Sequence, residues 1–128
     1  MRGLNASLCI LAFVLSSVGS VHHAQAQSWP GRTITFIVPF PPGGSTSIVA
    51  RVIADKMSQL LGQSIVVDNR GGAGGTIGTG LVAKSAPDGY TLLLVPTSHV
   101  INPSIYAKLP YDTEWDFAPI TMVPPSLS

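Results

Sequence analysis

The order of apolar patterns between residues 33 and 95 limits this chain to few folds. Thr33–Val38 (TITFIV) is β-branched and aromatic, the composition of a buried strand. Pro39–Ser45 (PFPPGGS) breaks it at once. From Thr46 the spacing turns helical: Val49, Val52 with Ile53, Met57, and Leu60 with Leu61 recur at three and four residues. Arg51, Asp55, Lys56 and Gln59 fall on the other face. Ser45 or Thr46 is the expected N-cap and Gly62 the stop. Ser64–Asp68 (SIVVD) reads as a second strand, Asn69–Gly75 as a glycine-dense loop, and Thr76–Ala86 as a second helix. After the Pro87-Asp88-Gly89 turn, Tyr90–Val95 (YTLLLV) is a third strand, apolar enough to be covered on both faces.

Strands alternating with helices favour a parallel sheet, so the fold class is α/β with a β-α-β-α-β start. Such sheets bind ligands at the carboxyl ends of their strands. Three loops fall there: Pro39–Ser45, Asn69–Gly75 and Pro96–Asn102. Ala118–Val123 (APITMV) reads as the start of a fourth strand, then Pro124-Pro125 closes it. The chain reads as the first part of a larger domain.

Residues 1–26 stand apart. Arg2 precedes the apolar run Leu8–Val18, too short for the roughly 20 residues that span a bilayer. Ala24-Gln25-Ala26 has the small-x-small pattern of a signal-peptidase site, so cleavage is expected after Ala26 and the mature chain in the periplasm. The single cysteine, Cys9, lies in that leader. Residues 27–128 thus hold no disulfide, no thiol nucleophile and one histidine, His99, which excludes Cys- or His-rich metal sites. Acidic and basic residues balance without a basic cluster, which argues against nucleic acid as a partner.

The first loop reads as an anion receptor without formal charge. Gly43-Gly44 permits close backbone approach, the following helix start offers free N–H groups, and Ser45, Thr46 and Ser47 add hydroxyls. A plain strand-to-helix connector is the alternative. In the second loop, Gly74, Gly78 and Gly80 match the G-x-x-x-G-x-G spacing of short-chain dehydrogenases. However, no Tyr-x-x-x-Lys pair follows, and close packing explains Gly78 and Gly80 equally well. Exposed amides at Gly74, Gly75 and Thr76 are expected to complete an anion site. In the third loop, His99 follows Ser98 without a G-x-S-x-G elbow. It reads as a structural or hydrogen-bonding group rather than a catalytic one. Asp88 and Asp112 read as turn formers.

Trp29-Pro30, TITFIVPFPPGG, the Ala50–Ala54 helix (ARVIA), LGQSIVVDNRGGAGGTIG, AKSAPDGYTLL, INPSIYAKLPYD and Asp116-Phe117-Ala118-Pro119 occur in this order. Together they resemble the substrate-binding proteins of tripartite tricarboxylate transporters, the Bug family. The resemblance implies a partial periplasmic-binding-protein-like domain, no enzymatic activity, no cofactor and no metal. It implies a monomer that binds a small carboxylate and delivers it to membrane permease subunits. The carboxylate would be held by Phe40, Pro42, Gly43, Gly44, Ser45, Thr46 and Ser47, by Gly74, Gly75 and Thr76, and by Thr97, Ser98 and His99. Ser47 stands where the family often carries Asp, in a G-G-x-x-D pattern. The chain is less than half the family's length, so a second domain is expected to be missing. Residues 27–128 alone are then expected to have little or no carboxylate affinity, and a non-functional truncated product is the alternative.

Overall fold

The computed structural model describes residues 28–124. The leader, its cleavage point after Ala26 and the Pro125–Ser128 end lie outside the described residues. Three strands, β1 (Ile34–Val38), β2 (Ile65–Asn69) and β3 (Thr91–Leu93), form one sheet in the order β2-β1-β3. Both pairings are parallel. Helix α1 (Ser45–Leu61) links β1 to β2. A 3-10 turn (Ala73–Gly75) and α2 (Thr76–Ala83) link β2 to β3. Helix α3 (Ser98–Ile105) follows β3. The expected α/β start with a parallel sheet is what forms.

β1 is the central strand, so it carries the core: Ile34, Phe36, Ile37 and Val38 are all buried. Phe36 and Val38 pack against Ala50 and Ala54 of α1, with Phe40, Ile53, Ile65, Val67, Leu92 and Leu94 around them. The buried face of α1 differs from the expected one. Small residues, Ser47, Ala50 and Ala54, let the helix lie close to the sheet. Val52 and Leu60 are turned outward and exposed. Gly62 is the left-handed stop that its position implies.

Four local expectations need correction. Gly44, in extended backbone, is the N-cap of α1 and makes no side-chain cap; Ser45 is already inside the helix. α2 ends at Ala83 rather than Ala86, because the chain must leave helical geometry before Pro87. β3 is only three residues long and half-buried, since it lies at the sheet edge; Leu94 adds one more bond to Ile37 O at 3.0 Å before Pro96, which has no N–H. The segment 118–124 forms no strand. Pro119 and Pro124 remove two of its donors, and Ile120 and Met122 remain exposed.

Candidate functional site

The parallel strands bring the ends of β1 and β2 side by side, and the loops that leave them interlock. Arg70 N–H donates to Val38 O at 2.8 Å, extending the β1–β2 ladder into both loops. A Cβ on Gly78 would lie 2.5 Å from Arg70 O and 2.9 Å from Pro39 Cβ, so only glycine lets α2 sit against the two strand ends. Gly80 faces Pro110 in the same way, at 3.0 Å. Close packing, not dinucleotide binding, accounts for this pair. Gly75, at φ +91°, lies against the Phe40 ring, which a Cβ would meet at 3.2 Å.

In the first loop, Pro41, Pro42, Gly43, Gly44 and Ser45 are exposed. The first α1 bond runs from Ile48 N–H to Gly44 O at 3.0 Å. The amides of Ser45, Thr46 and Ser47 precede it and have no intrahelical acceptor. No acidic residue occupies the first turn, so the positive end of the helix dipole is uncompensated there. The hydroxyls are not equivalent. Ser45 is exposed and Thr46 partly so, whereas Ser47 is 1% exposed. Ser47 Oγ donates to Asn69 Oδ1 at 3.3 Å and accepts from Asn69 Nδ2 at 3.1 Å. Ser47 is therefore engaged inside the fold, while Ser45 and Thr46 sit at the rim.

The second loop contributes less than its glycines suggest. Gly75 N–H donates to Gly72 O at 2.9 Å, and Thr76 N–H to Ala73 O. The Thr76 hydroxyl also donates to Ala73 O, at 2.9 Å. The amides expected to be free at Gly75 and Thr76 thus close the 3-10 turn, and both residues are buried. Gly74, at φ +63°, remains exposed at the turn's crest. Helix α3 fixes this turn from behind: Tyr106 Oη donates to Ala73 O at 3.1 Å and Asn102 Nδ2 to Gly74 O at 3.4 Å.

The third loop is mostly helix. Thr97 is the N-cap of α3, Ser98 its first residue, and His99 lies in its first turn. His99 stacks on Tyr111 at 5.8 Å and meets the Phe117 edge at 5.3 Å. Burial lowers its pKa below 6.5, so the ring is neutral at ordinary pH. Its Nδ1 has no partner among the described residues. The structure thus unites Phe40–Ser47 with Gly74–Thr76 and places Thr97 and Ser98 at the same sheet end. His99 joins an aromatic cluster under β3 instead. Asp88 and Asp112 are turn formers, accepting from Tyr90 N–H and Glu114 N–H at 3.0 and 2.9 Å. No cluster of three or more metal-ligating side chains occurs among the described residues.

Sequence reasoning missed Asn69, Asn102 and Tyr106. The available sign was a polar amide closing the apolar run Ile65–Val67, two positions past its last apolar residue. An amide there can serve its own loop or reach across to the neighbouring strand's loop, and it does the latter. Asn69 Nδ2 donates to Phe40 O at 2.9 Å.

A family model described as tripartite tricarboxylate transporter family receptor matches residues 49–126. Protein BugT of Bordetella pertussis is 45% identical over 118 residues, covering 91% of this chain and 36% of its own. The periplasmic binding protein BugD superposes with a TM-score of 0.70 at 46% identity, over 72% of this chain and 31% of its own. MatC from Rhodopseudomonas palustris, solved with bound malate, gives 0.67 at 44% identity over 71% and 31%. The chain spans about a third of the length of the curated relatives it matches.

Proposed function

Because the chain belongs to the tripartite tricarboxylate transporter receptor family, we propose that it forms part of a periplasmic solute receptor and supplies one wall of a small-carboxylate site. That family is one of receptors, not enzymes. The wall is the start of α1: the amides of Gly43, Gly44, Ser45 and Thr46, with the Ser45 and Thr46 hydroxyls at the rim. Phe40 and Pro42 shape the loop, and Gly74 flanks it. Thr97 and Ser98 border the wall from the β3 side. The Ser47 hydroxyl, Gly75 and Thr76 support the wall from within rather than touching solute, whereas His99 packs apart from it beside β3.

The observation that carries this reading is the uncompensated helix start of α1, reached through a proline-stiffened loop. Free backbone N–H groups at a helix start, with the helix dipole behind them, favour a carboxylate without a lysine or arginine. Release also stays easy, which suits a receptor that passes its solute to permease subunits of a membrane transporter. Malate bound to MatC shows a dicarboxylate in a related fold. The leader is expected to be removed after Ala26 on export.

The test is a titration of the 15N-labelled chain with malate, and separately with citrate, at millimolar concentration. The expected result is amide shift changes concentrated at Gly43–Thr46, absent with chloride at equal ionic strength. Shifts spread evenly over the chain, or centred away from Gly43–Thr46, would sink the reading.

A further inference from the structure

The exposed cradle loop is tied at both ends by one half-buried side-chain amide. Asn69 Nδ2 has two protons: one goes to Phe40 O at 2.9 Å, the other to Ser47 Oγ at 3.1 Å. Phe40 is the last residue before Pro41-Pro42, and Ser47 lies in the first turn of α1. One side chain therefore ties the two ends of the Pro41–Thr46 segment together. Ser47 returns its own proton to Asn69 Oδ1 at 3.3 Å, which holds the amide plane in place.

Two consequences follow for an anion. The Phe40 carbonyl, whose negative oxygen would oppose a carboxylate, is drawn toward β2. Pro41 and Pro42 lack N–H groups, so the donors available in the loop are those from Gly43 onward. Pinning both ends sets where those donors point and removes ordering cost from binding. The neutral amide does this without adding charge, although its neighbours Asp68 and Arg70 are both charged and pair at 2.9 Å.

We infer that Asn69, braced by Ser47, is the positioning residue of the cradle: it acts on the solute through the orientation of the Gly43–Thr46 amides. This rests on the carboxylate reading above. Within that reading it assigns Ser47 to the brace. A carboxylic acid at that position would still accept from Asn69 Nδ2, but it would bring negative charge to the helix start. A neutral brace therefore leaves the helix start free of negative charge.

The test compares the whole chain with Asn69→Ala and Ser47→Ala by heteronuclear NOE and by malate and citrate titration. In Asn69→Ala the NOE of Gly43–Thr46 is expected to fall while that of Ile34–Val38 stays unchanged. Any malate-induced shift at a fixed millimolar concentration should shrink about fivefold, the loss of roughly one net hydrogen bond. Ser47→Ala should give the same pattern at about twofold. Gly43–Thr46 amides as ordered in Asn69→Ala as in the unmodified chain would overturn the inference, and so would a loss of order spread equally over β1. If Asn69→Ala does not fold, Ser47→Ala decides on the same readout. If the unmodified chain answers neither malate nor citrate, as a single wall can, the NOE comparison decides whether Asn69 positions the loop.

Discussion

The two flanks of β1 differ in how they are built. On the β2 flank the register runs through five residue pairs, from Ile34↔Ile65 to Val38↔Asn69. It continues beyond the strands through Arg70, Asn69 and the interlocked glycines. On the β3 flank it covers three pairs, Thr35↔Thr91 to Ile37↔Leu93. Both edge strands are half-buried, but beside β3 a groove of about 800 Å³ opens, with Val95, His99, Phe117 and Ile120 in its lining. The proposed cradle sits over the first flank. Donors must hold their direction before the solute arrives, so the loop that carries them belongs where backbone and side chains fix it from several sides.

The largest effect should come from truncating equivalent residues on neighbouring strands. Ile37 and Leu93 are register partners, yet Ile37 is 2% exposed and Leu93 only half-buried. Ile37→Ala is expected to cost about 2–5 kcal/mol, and Leu93→Ala about half that, because water can occupy the space left beside the groove. Urea unfolding of the three chains measures both. Equal losses would mean that β3 is as tightly packed as the central strand it pairs with.

The contrast also explains what was legible in the sequence. β1, α1 and β2 appeared within a residue or so of their expected bounds, because strand composition, helical spacing and Gly62 agree there. On the β3 flank the local signs conflict. Pro96–Asn102 reads as a loop, yet α3 occupies Ser98–Ile105 and runs through Pro103, which removes only one donor from it. Ala118–Val123 has strand composition, but Pro119 lies inside it, Pro124 follows it, and it has no ladder partner among the described residues. At the proposed site, the glycine-rich loops pointed to backbone donors. Which amides stay free did not show, because it depends on Asn69, Asn102 and Tyr106, whose acceptors lie 28 to 33 residues away in sequence.

A smaller effect should appear on acidification, confined to the β3 flank. Burial disfavours the charged form of His99, so its folded pKa lies below 6.5 while the unfolded ring stays near that value. As pH falls past 6.5, the unfolded chain takes up a proton that the folded chain resists. Stability is therefore full above that value and declines as pH drops toward the folded pKa. Melting temperature followed from about pH 8 to about pH 5 should fall less steeply in His99→Phe than in the unmodified chain. Parallel curves would show that the ring is as solvated in the folded chain as in the unfolded one.

The smallest effect concerns the link between the flanks at the far end of the sheet. Arg32, just before β1, pairs with Asp88 at 2.9 Å and lies 4.1 Å from the centre of the Tyr90 ring, just before β3. Tyr90 Oη also accepts from Gly31 N–H at 2.8 Å. Three contacts at one point look like a strong clasp between β1 and β3. Exposure argues otherwise: the Arg32 side chain is 65% exposed and that of Asp88 40%, so water screens the pair and competes for both ends. Arg32→Ala is expected to cost below about 1 kcal/mol, with the ring contact outlasting the ion pair at high salt. Arg32→Lys keeps the charge but loses the flat stacking face, so at high salt it should resemble Arg32→Ala. A cost near that of Leu93→Ala would place the strength of the β3 flank in this clasp rather than in its apolar contacts.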